Sequence, residues 1–316
     1  MALGPGVILV RVNVGLIVLL VLVAGCGGRS CDWIRPSDPK GPGPAHVEKL
    51  TLSLPEHPGI SGAASIGDGR AVLVAERRSD LLVVTLADGR LVGQVPIDGL
   101  DPARDLESVA YLSDGSFVMG TEAGADDRPT DPLYKVTSEG SSATLVETLT
   151  LSYAPWDMLM GSNHGVEGLC VAGDWLLAGV EEVIEQGGGR IAPLGVLALS
   201  GGGWRPFGIQ LTTSKGKIAG LYCSQQTADG PIEVWAIERH FGVSRVLHFE
   251  ITELTSTPEG HYSLLTAEVV VDLAPLQDDL PNFEGLIRLD DGRFWLVSDN
   301  DYGGVSGPTV VWIVTP

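Results

Sequence analysis

The sequence predicts an all-β fold, a five-bladed β-propeller whose last blade is closed by a strand from the N-terminal side. A six-bladed ring is the alternative. The first observation is a short pattern that recurs five times, each copy followed by a turn, an apolar run and an acid. The second is composition: the 316 residues include 42 Gly, and aromatic residues make up only 6%. Many short strands joined by Gly-containing turns are typical of propellers.

The five copies of the pattern share a small residue at their second position, and three of them begin with Glu. They are Ser61–Ala64, Glu107–Ala110, Glu167–Cys170, Ala219–Tyr222 and Glu284–Ile287. The acids that follow are Glu76, Glu122, Glu182, Glu238 and Asp299. Four of these acids lie 14 residues after the second residue of their copy, and Glu238 lies 18 residues after it. This spacing predicts that the start of one strand and the end of the next meet at one rim of each blade.

Each copy is predicted to form four short strands, except the fifth, which supplies three. In the first copy they are Ile60–Ile66, Ala71–Ala75, Leu81–Leu86 and Leu91–Ile97. The last strand of the fourth copy is predicted at Tyr262–Val271. The segment Val47–Leu54 alternates apolar and polar residues, and we expect it to pair with the fifth copy. Such pairing would close the ring and remove its exposed sheet edges.

The N-terminal 25 residues are predicted to be a lipoprotein signal peptide. The apolar stretch Val14–Val23 is too short to span a bilayer as a helix. The residues Leu22–Cys26 resemble a bacterial lipobox, in which Cys26 becomes the lipidated N-terminus. An ordinary signal peptide that contains a Cys is the alternative. Residues 26–46 would then be a flexible tether and residues 47–316 a single propeller domain.

The expected location is therefore the bacterial cell envelope, at the outer membrane or in the periplasm if the host is Gram-negative. The formal net charge of −20 repels nucleic acid and anionic membranes, so membrane contact is expected only through the lipid anchor. We expect a monomer. The compartment permits a disulfide between Cys170 and Cys223, but their one-residue offset between copies could place them on opposite faces. A disulfide and two buried free thiols both remain open.

In a propeller the first strand of each blade lines the central channel, so Glu107, Glu167 and Glu284 are expected at one mouth. Carboxylates crowded there would repel each other, and their pKa values would rise. A divalent cation, with Ca²⁺ as the expected ion, would offset this repulsion. Arg side chains such as Arg77 and Arg239 are a second way to offset the repulsion. Hydrogen bonds to the next strand are a third, and they would make the acids purely structural.

The predicted site residues follow from this arrangement. Glu167 and Glu284 are candidate catalytic acids or bases, as is His164, whose alternative role is to cap a strand. The predicted binding residues are Arg77, Arg239, Asn163 and Asn282. The predicted metal ligands are Glu107, Glu167, Glu284, Asp299 and Asp301.

Two stretches of the sequence carry a family resemblance. Residues 163–169 with 175–182, and residues 283–289 with 294–301, resemble the phytase-like (esterase-like) family of secreted bacterial propellers. The first two copies, residues 59–122, are also similar to the SdiA-regulated propeller family, which has a comparable Ser-Gly start and an Asp-x-Glu second blade. The resemblance implies a periplasmic or surface propeller, often with calcium. A phosphatase or esterase activity is implied by the family's name.

The leading hypothesis is a lipid-anchored envelope propeller that binds Ca²⁺ at the acidic mouth and hydrolyses a phosphate or carboxylic ester there. The metal would polarise the small-molecule ester, and Glu167 or Glu284 would act as the base. The alternative is a non-catalytic propeller that binds an envelope protein or glycan through its loops. The fold does not decide between an enzyme and a binding module.

Overall fold

The computed structural model describes residues 40–54, 58–76, 78–101, 104–122, 124–186, 188–254, 261–276, 280–300 and 307–316. The signal peptide, Cys26, most of the tether, Arg77 and Asp301 lie outside these residues. Within them the helical segments are two short 3-10 turns, Ala154–Trp156 and Ala274–Leu276. None of the helices in these ranges is long and apolar enough to cross a membrane.

The described residues form 22 strands. In chain order they are β1 (His46–Thr51), β2 (Ile60–Gly67), β3 (Arg70–Ala75), β4 (Asp80–Thr85), β5 (Leu91–Asp98), β6 (Asp105–Tyr111), β7 (Phe117–Glu122), β8 (Thr130–Glu139), β9 (Ser142–Ser152), β10 (Val166–Ala172), β11 (Trp175–Val180), β12 (Ile184–Gln186), β13 (Gly189–Ala198), β14 (Arg205–Gln210), β15 (Lys217–Gln225), β16 (Ile232–His240), β17 (Val243–Ile251), β18 (Ser263–Thr266), β19 (Glu268–Asp272), β20 (Asn282–Arg288), β21 (Phe294–Asp299) and β22 (Val310–Thr315).

The strands pair as antiparallel units that follow the sequence copies. These units are β2-β3-β4-β5, β6-β7-β8-β9, β10-β11-β13-β14, β15-β16-β17-β19 and β20-β21-β22-β1. A short parallel contact between β5 and β9 joins the first two units into one hydrogen-bonded sheet. The prediction of an all-β, propeller-type architecture is confirmed.

The N-terminal strand pairs with the last strand of the chain. β1 runs antiparallel to β22, from His46 opposite Thr315 to Thr51 opposite Val310. The predicted pairing of Val47–Leu54 with the fifth copy is therefore observed, although the regular strand ends at Thr51. This pairing gives the last unit a fourth strand.

The first strands of the five copies surround the centre of the fold. β2, β6, β10, β15 and β20 each contact the next, and β20 contacts β2. Their backbones approach so closely that a Cβ at Gly220 would lie 2.6 Å from the carbonyl oxygen of Glu284. A Cβ at Gly62 would likewise lie 2.7 Å from Ser108 Cα, and one at Gly285 would lie 2.7 Å from Ala63 Cβ. The small residue at the second position of the pattern is required by this packing.

A β-bulge occurs at the first position of every copy. The register shifts between residues 60 and 62, 106 and 108, 166 and 168, 218 and 220, and 283 and 285. The extra residue in each case is Ser61, Glu107, Glu167, Ala219 or Glu284. A bulge leaves one residue outside the ladder and redirects its side chain. The repeated first position is therefore the bulge residue, and three of the five bulges carry Glu.

Two residues beyond each bulge the chain places an apolar side chain, and all five are at least 94% buried. They are Ala63, Val109, Leu169, Leu221 and Leu286. The described apolar residues form five clusters, each of which includes one of these five residues and lies between two neighbouring units. Burial of this apolar surface is the main stabilising contribution to the fold.

One predicted strand is two strands in the structure. Tyr262–Val271 was expected to be the outer strand of the fourth copy. Instead, β18 pairs in parallel with β14 of the third unit, and β19 pairs antiparallel with β17 of the fourth. The chain therefore crosses from one unit to the next at Ala267, a contact between units that hydrophobic alternation within one segment does not reveal.

A disulfide joins Cys170 on β10 to Cys223 on β15, with their Cα atoms 5.7 Å apart. The one-residue offset between the copies does not separate them, because the neighbouring inner strands are staggered. A Cβ at Gly168 would contact both the carbonyl carbon of Gly220 and the backbone nitrogen of Leu221, 3.2 and 3.1 Å away. Of the two alternatives left open by the sequence, the structure has the disulfide.

Candidate metal centre

The three Glu residues on bulges are almost completely buried. Glu107, Glu167 and Glu284 expose 5%, 4% and 5% of their surface, and each comes from a different unit. We use the term acidic mouth for these residues together with the acids at the end of the second strand in four of the five units. These partners are Glu76, Glu122, Glu181 and Asp299.

Three carboxylates of the acidic mouth converge. Glu76, Glu107 and Glu284 each place a carboxylate oxygen within 4.8 Å of the others. Glu107 and Glu284 were predicted as metal ligands, whereas Glu76 was expected only near the mouth. The first copy has Ser61 at its bulge, and the acid at the end of β3 supplies the carboxylate instead. The backbone N–H of Glu76 donates to the carbonyl of Gly59, which fixes its place beside β2.

Burial and mutual repulsion dominate the electrostatics of these groups. Burial raises the pKa of Glu107 well above its ordinary value, and Glu167, Glu284 and Glu76 raise it further. Burial also raises the pKa of Glu167 to about 7, although Arg239 and Lys217 oppose the shift. The pKa of Glu284 is raised by burial, against the nearby charge of Arg239. The mouth thus holds carboxyl groups that resist ionisation.

The strand register corrects two of the predicted rim positions. In the third unit Val180 lies opposite Val166, and in the fourth Glu238 lies opposite Ile218. The next residues, Glu181 and Arg239, therefore occupy the positions that Glu76, Glu122 and Asp299 occupy elsewhere. The predicted members Glu182 and Glu238 were wrong. The first hairpin of the third unit is one residue shorter, and that of the fourth is longer, so equal sequence spacing did not mean equal structural position.

Glu238 has the purely structural role that the sequence left open for the acids. It is fully buried and accepts hydrogen bonds from the backbone N–H groups of Thr212 and Thr213, at 3.2 and 2.9 Å. The hydroxyl groups of both threonines also donate to it. Four hydrogen bonds connect β16 to the segment before β15, so this carboxylate stabilises the fold.

The fourth unit brings two cations to the acidic mouth. Lys217 lies opposite Arg239 across β15 and β16. Lys217 donates to Glu181, and Arg239 donates to Oε1 of Glu284. Burial lowers the pKa of Lys217, and so does the neighbouring Arg239. Arg239 was a predicted binding residue. Lys217 begins β15, the strand that carries the fourth bulge.

Asn282 lies within the mouth as predicted for a binding residue. Its Nδ2 donates to Oε1 of Glu284 at 2.9 Å and to Oδ2 of Asp299 at 3.2 Å. Asp299 is itself 97% buried. Both hydrogen bonds to Glu284, from Asn282 and Arg239, reach the same oxygen, which leaves Oε2 as the oxygen to offer a cation.

His164 lies beside the rim of the third unit. Its Nε2 is 3.9 Å from Glu181 Oε2, and its Nδ1 is 3.3 Å from Glu182 Oε2. The His164 carbonyl accepts a hydrogen bond of 2.6 Å from Arg128, whose guanidinium also pairs with buried Asp131. Arg128 thus fixes the loop that carries His164. The predicted binding residue Asn163 is exposed in the turn before β10.

The donor set fits a hard divalent cation. Ca²⁺ prefers six to eight oxygen ligands, many of them carboxylates, and Glu76, Glu107 and Glu284 provide such oxygens within a small volume. A bound cation would favour the ionised carboxylates and offset the repulsion among them. The charge of Glu76 raises the pKa of Glu167, so Glu167 lies close enough to interact with this group. Asp299 accepts a hydrogen bond from Asn282.

A family model described as phytase-like, "Esterase-like activity of phytase", matches residues 90–302. The chain belongs to this family. The predicted resemblance to the phytase-like family is thereby confirmed. The matched region includes Glu107, Glu167 and Glu284, but Glu76 precedes it. No curated protein matches the chain significantly.

Solved structures with a similar fold include three enzymes. Aldose sugar dehydrogenase from Streptomyces coelicolor has a TM-score of 0.46 at 13% identity, over 86% of this chain and 99% of that chain. Glutaminyl cyclase from Myxococcus xanthus has a TM-score of 0.47 at 16% identity, over 86% and 97% of the two chains. Virginiamycin B lyase from Staphylococcus aureus has a TM-score of 0.41 at 11% identity, over 86% and 99%.

Proposed function

We propose that the protein is a lipid-anchored, five-bladed envelope propeller that binds Ca²⁺ at its acidic mouth and hydrolyses a phosphate or carboxylic ester there. The observation that carries the proposal is the convergence of Glu76, Glu107 and Glu284 beside the cations of the fourth unit. Three separate copies of the repeat supply these carboxylates, each from a different unit of the ring.

Five blades are supported by the packing of the described units. Each of the five antiparallel units shares an apolar cluster with its two neighbours, and the inner strands contact each other in a closed sequence. The pairing of β1 with β22 supplies the fourth strand of the last unit. A closed ring of this kind has no unpaired inner edge.

The charges of the mouth are divided between two sides. The carboxylates that would hold Ca²⁺ come from the first, second and fifth units, whereas Lys217 and Arg239 come from the fourth. An anionic ester would therefore be attracted to the cationic side, next to the carboxylates that would hold the metal. The buried side chains of Leu169, Leu221 and Leu286 lie two residues beyond the bulges, so the charged groups are confined to the acidic mouth.

Bound Ca²⁺ would supply a Lewis acid that polarises the ester oxygen. Glu167 would accept a proton from the attacking water, because a pKa of about 7 lets a carboxyl group exchange protons near neutral pH. Arg239 and Asn282 would hold Glu284 in place through their hydrogen bonds to Oε1. Lys217 and Arg239 would bind the negative charge of the substrate.

Membership of the phytase-like family supports ester hydrolysis as the reaction class. The test is to assay the purified full chain with aryl phosphates and aryl carboxylates, with Ca²⁺ and with a chelator. We expect Ca²⁺-dependent turnover of one class, lost in Glu167→Gln and in Glu107→Gln/Glu284→Gln but retained in Glu147→Gln, which changes an exposed acid on β9. Equal turnover by Glu167→Gln, Glu107→Gln/Glu284→Gln and Glu147→Gln would contradict the proposal.

A non-catalytic role in binding an envelope protein or glycan is the second candidate, and one observation favours it. Phe241 is 82% exposed in the hairpin between β16 and β17, two residues beyond Arg239. Exposed aromatic side chains are common anchors of binding surfaces. If the protein is a binding module, Phe241→Ala will weaken partner capture while no ester is turned over by the wild type.

A further inference from the structure

A second group of ligating side chains lies at the other end of the fourth unit. Glu233 on β16 and Glu250 on β17 are directly opposite each other, and His248 precedes Glu250 by two residues on the same face. One donor atom of each lies within 4.8 Å of the others. Glu233 lies six positions before Arg239 on β16, which corresponds to roughly 20 Å along a strand. This group is therefore distinct from the acidic mouth.

His248 is held in a defined orientation. It lies between Trp235 on β16 and Glu268 on β19, its direct neighbours in the sheet. The Trp235 and His248 rings stack with their centroids 4.8 Å apart. Nδ1 of His248 is 3.2 Å from Oε1 of Glu268, within hydrogen-bond distance. In a neutral His248 whose Nδ1–H donates to this carboxylate, Nε2 keeps the free lone pair.

That lone pair has no protein partner. Nε2 of His248 is buried and makes no hydrogen bond in the described part of the chain. Glu233 and Glu250 also form a like-charged pair across two strands, an arrangement that destabilises a sheet unless the charge is compensated. A cation bound by Nε2 and the two carboxylates would satisfy both the nitrogen and the charged pair.

We propose that Glu233, His248 and Glu250 bind a divalent transition-metal ion, with Zn²⁺ as the expected ion. A neutral imidazole nitrogen with two carboxylates is a common ligand set for Zn²⁺, whereas Ca²⁺ takes oxygen ligands. Ligands at about 2.0–2.2 Å from Zn²⁺ lie roughly 3.4 Å apart in a tetrahedral site. The ligand atoms of Glu233, His248 and Glu250 lie within 4.8 Å of one another, so binding requires the group to contract around the ion.

Glu268 would orient the histidine without touching the metal. Metal-bound histidines usually donate their other N–H to a carboxylate, and loss of that partner costs about 10–100-fold in affinity. The position of Glu268 next to His248 matches this role. The proposal therefore predicts a large loss of Zn²⁺ affinity for His248→Ala and a smaller loss for Glu268→Gln.

The test is calorimetric titration of the full chain with Zn²⁺, in a Glu107→Gln/Glu284→Gln background that weakens the acidic mouth. We expect one Zn²⁺ site in the background protein. Its affinity should fall at least 100-fold in His248→Ala and about 10–100-fold in Glu268→Gln. His261→Ala, which removes an exposed histidine elsewhere, should bind as the background does. Bound Co²⁺ should give the visible absorption of a tetrahedral nitrogen-and-oxygen site, absent in His248→Ala.

Equal Zn²⁺ affinity in the background and in His248→Ala would overturn the proposal, as would the absence of any binding. Circular dichroism of each variant checks that the fold is retained. The outcome is independent of Ca²⁺ at the acidic mouth, because the two titrations use different ions and different variants.

Discussion

Arg239 on β16 donates a hydrogen bond to Glu284 on β20, and this ion pair links the fourth and fifth units at the acidic mouth. Arg239 occupies the rim position that an acid occupies in the other four units. The exchange of an acid for a base places positive charge directly beside the densest group of carboxylates. One mouth therefore offers ligands for a cation and a partner for an anion.

We expect Ca²⁺ to stabilise the protein against heat. A ligand that binds only the folded state raises the free energy of unfolding by about 2.7 kcal/mol at a hundredfold excess over Kd. For a domain of this size that corresponds to a rise in Tm of roughly 5–10 °C. Differential scanning calorimetry with and without Ca²⁺ measures it. Glu107→Gln/Glu284→Gln should abolish the rise, and Glu147→Gln should preserve it.

The stability of the metal-free protein should fall as pH rises from about 5 to about 7. The pKa of Glu167 is about 7 in the folded protein against an ordinary value of 4.5, so the folded state holds its proton longer than the unfolded chain. Its stabilisation is present below the unfolded pKa and is lost as pH rises through the folded pKa. The slope is at most about 1.4 kcal/mol per pH unit for each such group.

Urea unfolding at a series of pH values in a chelating buffer measures this slope. Glu107 belongs to the same group, and its pKa is raised by burial and by four neighbouring carboxylates. Glu107→Gln removes one of the repelling charges and should flatten the profile between pH 5 and pH 7. A wild-type protein that gains stability over that range would show that the mouth carboxylates do not dominate its proton linkage.

Gly220→Ala should destabilise the protein strongly. Its Cβ would lie 2.6 Å from the backbone carbonyl oxygen of Glu284, which no side-chain rotation can move away. Overpacking of this kind costs about 1–3 kcal/mol. Gly203→Ala is the matched control, because its Cβ would meet nothing within 4 Å. Denaturant unfolding measures the loss in free energy of unfolding for each variant. Equal losses would argue against close packing of the inner strands.

Loss of the Cys170–Cys223 disulfide should lower the free energy of unfolding by about 4 kcal/mol. The bridge closes a loop with a sequence separation of 53 residues and so restricts the unfolded chain. Unfolding in urea, with and without reductant, gives the value for the wild type. The double variant Cys170→Ala/Cys223→Ala should show the loss without reductant and should not respond to it.

Cys26→Ser should release the protein from the membrane fraction if Cys26 carries the lipid anchor. A lipid chain is the membrane-binding feature that the sequence predicts, and its removal leaves a strongly acidic chain that anionic lipids repel. Fractionation of cells that express each form measures the release. Retention of Cys26→Ser in membranes would show that the apolar segment Val14–Val23 anchors the protein instead.

Much of the fold could be predicted because the repeat depends on residues that are close together in the sequence. The second residue of each copy is small since the inner strands pack backbone to backbone, as Gly220 does against Glu284. Turns with Gly and Asp delimit the hairpins, and apolar alternation marked Val47–Leu54 as a strand. These signals depend on neighbours a few residues away.

The members of the acidic mouth were harder to predict. Glu182 matched the 14-residue spacing of the repeat and Glu238 lay at a spacing of 18, but hairpin length shifted the register, so Glu181 and Arg239 occupy the rim. Glu76 belongs to the candidate metal group although the bulge of its own copy carries Ser61 instead of Glu. A one-residue change in a hairpin is invisible in an acid-to-acid count, yet it moves a side chain to the other face of a strand.

The sequence by itself determined the all-β class, the repeat, the strand that closes the last unit and the recurring Glu of three inner strands, because each depends on the period and turn chemistry of a short segment. Only the tertiary structure decided which charges meet across units. The pairing of Arg239 with Glu284, the bond between Cys170 and Cys223 and the group around His248 all join residues on different strands. Their approach depends on the stagger and register of those strands, which the cooperative packing of the whole ring sets.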